Sequence, residues 1–202
     1  MIEVYTEEIN GVWFGVASDQ KGVYATTFAR NGEKALYKLL KAIPYNAIFK
    51  SSVKPSDIAK QTISTLKDIY SGFDASPNIH LHMDHLSNYT KKVLHMVLRI
   101  PAGYVSSYGL IATAVGGGAR AVGRVVASNP FILLVPCHRV VTSNLSIGGY
   151  SEGAKTKLEI LTREKRGYSE EREILTDFGK MKVFPVEFVL SKCDKGKVKD
   201  KR

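Results

Sequence analysis

Apolar and polar residues alternate loosely over residues 2–8, pause at Asn10-Gly11, and resume as the apolar run Val12 to Val16. Alternation with period two marks a half-buried strand, and Asn-Gly suits a type I′ hairpin turn because both central residues there need positive φ. A second turn, Asp19-Gln20-Lys21-Gly22, precedes Val23 to Phe28, which is rich in β-branched and aromatic residues. The pattern predicts a three-stranded antiparallel meander. Helical periodicity follows twice, over 33–42 with Asn31 as cap and Pro44 as stop, and over 57–70 with Ser56 as cap and Gly72 beyond its end.

Ala75-Ser76-Pro77-Asn78 reads as a linker, and Ile79, Leu81 and Met83 alternate with His80 and His82 as an edge strand would. Ser87 caps a helix over 88–99 whose Val93, Leu94, Val97 and Leu98 make one apolar stripe, closed by Ile100-Pro101-Ala102-Gly103. Ser107 caps a second helix, 108–115, and Gly116-Gly117-Gly118 turns the chain into a third, 119–128. Helix, glycine turn, helix fits either a helix-turn-helix DNA reader or a structural helical hairpin.

Asn129-Pro130 ends that helix, and the continuous apolar run Phe131 to Val135 predicts a buried strand that Pro136 stops. Val140-Val141, a turn at Thr142-Ser143-Asn144 and the glycine-rich Gly148 to Gly153 follow, then a helix over 154–165. Beyond it we expect a short helix near Glu170 to Leu175, a strand over Val183 to Leu190 with Pro185 marking a sheet edge, and a disordered lysine-rich end from Lys192 to Arg202. The expected fold is α/β (α+β). A small N-terminal three-stranded antiparallel sheet with helices precedes a mostly helical C-terminal domain that carries the helix-turn-helix and an active-site cysteine.

With 202 residues and 44% hydrophobic composition the chain can bury a core. Two distant cysteines exclude a disulfide framework or a cysteine-rich zinc module, and the first residues lack an apolar signal stretch, so an intracellular, cytoplasmic protein is expected. No apolar run approaches the roughly 20 residues a membrane helix requires. The net charge is +10, distributed as 0 over residues 1–86, +7 over 87–165 and +3 over 166–202. That asymmetry points to a polyanionic partner for the middle segment, against the simpler alternative of a lysine-rich solvated surface.

The chemistry gathers at Pro136-Cys137-His138-Arg139-Val140. A thiolate is the attacking form of cysteine, and His138 or Arg139 could lower its pKa or relay its proton; alternatively Cys137 is a buried small hydrophobe. In the third helix Ala119, Ala121 and Gly123 are small enough for close approach to a groove floor, with Arg120 and Arg124 adding charge. Its shortage of long polar side chains suits sequence-independent binding through the minor groove. His80, His82, Asp84 and His85 lie close together but lack a fixed metal-ligand spacing, and we assign no metal. Cys193 has no chemical neighbours.

Taken together, Ile100-Pro101-Ala102-Gly103, Ser107-Tyr108-Gly109, Ala119-Arg120-Ala121-Val122-Gly123, Ser128-Asn129-Pro130, Pro136-Cys137-His138-Arg139-Val140-Val141 and Gly149-Tyr150-Ser151-Glu152-Gly153 resemble the O6-alkylguanine-DNA alkyltransferases, single-turnover DNA repair proteins. The resemblance runs from about Asn88 to about Lys165. It implies a support domain over 1–77, similar to ribonuclease H, a linker or edge strand over 78–86, the DNA-binding and catalytic domain over 87–165, and an unrelated C-terminal extension over 166–202.

The resemblance further implies that Cys137 takes the alkyl group, that His138 removes its proton through a water, and that Glu164 orients His138. It assigns Tyr108 as donor to the guanine ring and Asn129 as the link between the DNA-reading helix and the nucleophile. Arg120 would fill the gap left by a flipped base, and Ala119, Ala121, Gly123, Arg124 and Ser107 would face DNA. Pro136, Val140, Tyr150 and Ser151 would line the base pocket, where Glu152 departs from the glycine or small residue of many relatives.

The expected function is repair of double-stranded DNA by a methylated-DNA–[protein]-cysteine S-methyltransferase. It would act on O6-alkylguanine regardless of sequence, as a chromosome-associated monomer that needs no cofactor. The alternatives are a DNA-binding regulator in which Cys137 senses alkylating agents, and a cysteine hydrolase, which would turn over.

Overall fold

The computed structural model describes residues 1–75 and 78–199, so Ser76 and Pro77 of the expected linker and residues 200–202 of the basic end lie outside the described residues. The chain forms two units. The first comprises 1–70, 75–87 and 130–134; the second comprises 71–74, 88–129 and 135–202.

In the first unit β1 (Ile2–Ile9), β2 (Val12–Ser18) and β3 (Val23–Ala29) form the predicted antiparallel meander, with Asn10 at φ 53° and Gly11 at φ 77° as the type I′ turn requires. A fourth strand, β4 (Phe49–Ser51), pairs parallel to β1 and gives the order β3-β2-β1-β4. It escaped prediction because three exposed residues show no alternation. Helix α1 (Gly32–Ala42) starts where Asn31 accepts the Lys34 amide, and α2 (Asp57–Tyr70) starts where Ser56 accepts the Ala59 amide at 3.3 Å. Helix α1 lies close on the sheet: a side chain at Gly15 would put its Cβ 2.8 Å from Leu39 Cδ1.

The histidine cluster is part of this unit. His82 bonds Asp19 Oδ1 at 3.1 Å and stacks on Tyr24 at 4.1 Å between ring centroids, while Leu81 bridges Val23 as an edge residue. Among the described residues no three of His, Cys, Asp and Glu converge as a metal site.

Residues 130–134 are buried as expected except for the half-buried Ile132, but they do not form the expected strand. Leu133 takes a left-handed φ of 73°, which breaks the extended run, and the segment instead hangs on Thr26, whose amide donates to the Pro130 carbonyl and whose hydroxyl donates to the Ile132 carbonyl, both at 2.8 Å.

The second unit is built from α3 (Asn88–Leu98), β5 (Tyr104–Ser107), α4 (Tyr108–Val115), α5 (Ala119–Ala127), β6 (Val140–Val141), α6 (Ala154–Arg163), β7 (Arg172–Thr176), β8 (Gly179–Pro185) and α7 (Val186–Lys199). It is less helical than expected, for it holds a second four-stranded sheet of order β6-β5-β8-β7. The two-residue β6 and the buried four-residue β5 were too short to read as strands.

Three expectations for the extension are corrected. Residues 172–176 are a strand, because pairing with β8 outweighs local helical preference. The run Val183 to Leu190 divides at Pro185, where the missing amide ends the ladder and α7 begins with Glu187 in its first turn. The lysine-rich end is helical as far as Lys199. No single helix among the described residues is long and apolar enough to cross a membrane.

Candidate active site

Helices α4 and α5 meet at 105° across Gly116-Gly117-Gly118, within the range of a helix-turn-helix. Gly117 is held at φ 88°, and a Cβ there would sit 2.9 Å from the Tyr89 hydroxyl, so the turn excludes larger residues. Ser107 is buried and caps α4 by accepting the Leu110 amide at 3.2 Å. Helix α5 buries Val122, Val125 and Val126, which turns Ala119, Arg120 and Arg124 outward and leaves Ala121 and Gly123 half-exposed. The outer face is therefore small and cationic, as the sequence suggested.

Cys137, His138 and Arg139 form one 3-10 turn, set up by Pro136 and followed directly by β6. All three side chains are buried. Arg139, a possible activator of the thiol on sequence, is committed elsewhere: Nε lies 3.0 Å from both Glu164 oxygens, Nη2 2.7 Å from Oε1, and Nη1 donates to the Ile100 carbonyl at 2.8 Å. His138 Nε2 lies 3.0 Å from the same Oε1, while its buried Nδ1 has no hydrogen-bond partner among the described residues. The carboxylate thus assigns the tautomer by hydrogen-bond logic, with Nε2 protonated and Nδ1 a free base.

Burial pushes the Glu164 carboxyl up, but His138 and Arg139 outweigh it and bring the pKa down to about 2. Burial lowers the His138 pKa despite Glu164, so the imidazole is neutral at pH 7. The Cys137 thiol is raised by burial, with the Glu152 charge adding to that, while the Asn129 side chain and the Lys157 cation work in the opposite direction. At rest Cys137 is a protonated thiol that needs a base.

Asn129 lies just beyond the end of α5. Its Nδ2 donates to the Val135 carbonyl at 3.0 Å and its side chain reaches the sulfur. Tyr108 begins α4, with its hydroxyl 3.5 Å from the Gly149 carbonyl and its pKa raised by burial and then by Cys137. Tyr150 has its hydroxyl enclosed beside Cys137, without a nitrogen or oxygen partner among the described residues, and its pKa is pushed well above the ordinary value by burial and then by Cys137 and Glu152. Val140 and Pro136 are buried and Ser151 is exposed. Glu152, left open by the sequence, is half-exposed, and its charge reaches Cys137 and Tyr150.

Lys157 was missed. It is fully buried on α6, with Nζ 2.6 Å from the Val140 carbonyl and 3.2 Å from the Gly149 carbonyl, and burial lowers its pKa to about 8, a shift that the Cys137 thiolate opposes once it forms. On sequence it was one more lysine in a helix of mixed charge, with no signal to separate it from Lys155.

Residues 88–166 match the family model described as the 6-O-methylguanine DNA methyltransferase DNA-binding domain. The methylated-DNA–protein-cysteine methyltransferase of Pyrobaculum aerophilum is 40% identical over 84 residues, 42% of this chain and 56% of that protein. The protein of the same name from Methanocaldococcus vulcanius is 47% identical over 81 residues, 40% of this chain and 50% of that protein. The matched segment thus spans about half the length of these relatives. Among solved structures, the O6-methylguanine-DNA methyltransferase of Pyrococcus kodakaraensis strain KOD1 superimposes with a TM-score of 0.62 at 28% identity, over 81% of this chain and 99% of that one. The enzyme of that kind from Methanococcus jannaschii gives 0.59 at 27% identity, over 83% of this chain and 96% of that one. Residues 88–166 thus match the DNA-binding domain of the 6-O-methylguanine DNA methyltransferases, and the chain resembles solved O6-methylguanine-DNA methyltransferases in fold.

Proposed function

We propose that the protein repairs DNA by moving an alkyl group from O6 of guanine to the sulfur of Cys137. The observation that carries this reading is the buried array in which Glu164 holds His138 Nε2 and leaves Nδ1 without a hydrogen-bond partner among the described residues, one position along the chain from the protonated thiol of Cys137. Nδ1 takes the thiol proton through a bridging water, since the thiol and imidazole, adjacent in the chain, make no direct bond. The S–C bond forms as the C–O6 bond breaks, and the electron pair stays on the purine, where protonation restores guanine. Tyr108 is the donor to the guanine ring, and Tyr150, Val140, Pro136 and Ser151 form the pocket wall.

A base in duplex DNA is out of reach of a buried sulfur, so the lesion has to leave the stack, at a cost of a few kcal/mol. Arg120, exposed near the start of α5, fills the gap, and Arg124 with the small residues Ala119, Ala121 and Gly123 lets the helix approach the backbone without reading sequence. The thioether product has no hydrolytic route back, so each molecule acts once, as a monomer and without a cofactor.

Incubation with an oligonucleotide bearing O6-methylguanine should add one methyl mass to the peptide that contains Cys137, with at most one equivalent transferred, and Cys137→Ala should bind DNA but accept nothing. Many equivalents processed per molecule would favour a hydrolase. Sequence-selective DNA binding without transfer would favour a regulator.

A further inference from the structure

The family match ends at residue 166, yet the remaining residues are built into the same unit. Strand β8 pairs antiparallel with β5, Tyr104 opposite Pro185 and Val105 opposite Phe184, and Ser106 Oγ donates to the Lys182 carbonyl at 2.9 Å. The other edge of β5 pairs with β6, Ser106 opposite Val140 and Ser107 opposite Val141, so a single strand lies between the extension and the residues that follow Cys137. Glu187 anchors the start of α7 by accepting the amides of Arg166, Gly167 and Tyr168 at 3.0, 2.6 and 3.2 Å.

The same extension supplies four of the nine residues of a small core. Val186 and Val189 of α7 join Val105, Val141 and Leu161, and Leu145 and Ile147 pack onto this cluster beside Phe184 and Leu190. Leu145 and Ile147 belong to the loop that joins β6 to the pocket wall. That loop is a compact turn: the Thr142 hydroxyl donates to the Ser146 carbonyl at 2.9 Å, Leu145 donates to the Thr142 carbonyl at 2.9 Å, and Lys192 donates to the Asn144 carbonyl. Its far end is Gly149, whose carbonyl accepts Lys157, and Tyr150, whose hydroxyl lies beside the sulfur.

We propose that residues 172–192 are a positioning element for the transfer site, holding the 142–150 loop from behind so that Tyr150 and Gly149 stay registered against Cys137. The proposal rests on the alkyl-transfer reading above. A loop held only at its ends would sample many arrangements of the pocket wall, and a misplacement of about 1 Å can lower a rate roughly a hundredfold. The extension removes that freedom without touching the substrate.

Leu190 and Ile147 are only partly buried, so truncating them should loosen the seat while the unit still folds. Leu190→Ala and Ile147→Ala should each slow methyl transfer from O6-methylguanine in duplex DNA by about tenfold, while DNA affinity and the rate at which iodoacetamide alkylates Cys137 stay within about twofold, and Leu190→Met should restore transfer. Transfer at the original rate in both alanine variants would overturn the proposal, as would equal slowing of transfer and iodoacetamide alkylation. If an alanine variant unfolds, the comparison is made with Leu190→Val, where unchanged transfer would equally overturn it. Failure of the unmodified protein to transfer anything would instead remove the reading on which the proposal stands.

Discussion

Oε1 of Glu164 lies 3.0 Å from Nε2 of His138, and the same carboxylate is gripped by the Arg139 guanidinium from 2.7 to 3.0 Å. One buried negative charge therefore serves a structural ion pair and the orientation of the base together.

Glu164→Gln should separate these two roles poorly. It leaves the buried Arg139 without a counter-charge, which costs about 3–5 kcal/mol by the usual penalty for breaking a buried pair, and it frees the imidazole to rotate. Because the folded-state pKa of Glu164 is depressed to about 2, its stabilisation is complete above the unfolded value near 4.3 and is lost as pH falls towards 2. Urea unfolding of both proteins should show a large gap at pH 7 that narrows with acidification through that window.

Lys157→Met should raise the Cys137 thiol further, since the nearby cation is one of the groups that lower it. Iodoacetamide alkylation of Cys137 near pH 7 should slow by roughly tenfold for each unit of pKa change. The difference from the original protein should shrink as pH rises through about 8, where Lys157 loses its own charge. A constant ratio across pH 6–10 would show that the cation has no influence on the sulfur.

Asn129→Ala should remove the 3.0 Å side-chain donor from the Val135 carbonyl, which keeps the Cys137 amide at 2.7 Å. Loss of that one hydrogen bond costs about 0.5–1.5 kcal/mol, to be read as a lower denaturant midpoint at unchanged slope. Transfer should slow as well, because the same side chain reaches the sulfur.

Arg120→Ala should leave the fold intact, as the side chain is exposed. Transfer from duplex DNA should fall by about tenfold or more, consistent with a few kcal/mol for extrusion, while reaction with the free O6-alkylguanine base is unchanged. Equal rates of loss with both substrates would remove its gap-filling role.

The elements set by neighbours in sequence were legible, and those set by distant partners were not. Asn10-Gly11, the Asn31 and Ser107 caps and the glycine turn before α5 each act over a few residues, and each stands where the sequence placed it. Strands β4, β5 and β6 take their identity from partners far along the chain and carry too few residues to show a period. In the site, Cys137 and His138 declared themselves by chemistry, whereas Glu164 was reached only through resemblance, since a helix-end glutamate ordinarily faces water. Lys157 gave no sign because its burial depends on two carbonyls, at Val140 and Gly149, that no local pattern announces.

Residues 130–134 belong to the first unit although both flanks of that segment belong to the second. The first unit is therefore not a contiguous stretch that could be excised: a fragment ending at Ser87 would lack Phe131 and Leu133 from its interior and would leave the Thr26 amide and hydroxyl to seek water. Complementation by a synthetic pentapeptide, rather than a cut at a single boundary, is how such a fragment would regain its missing wall.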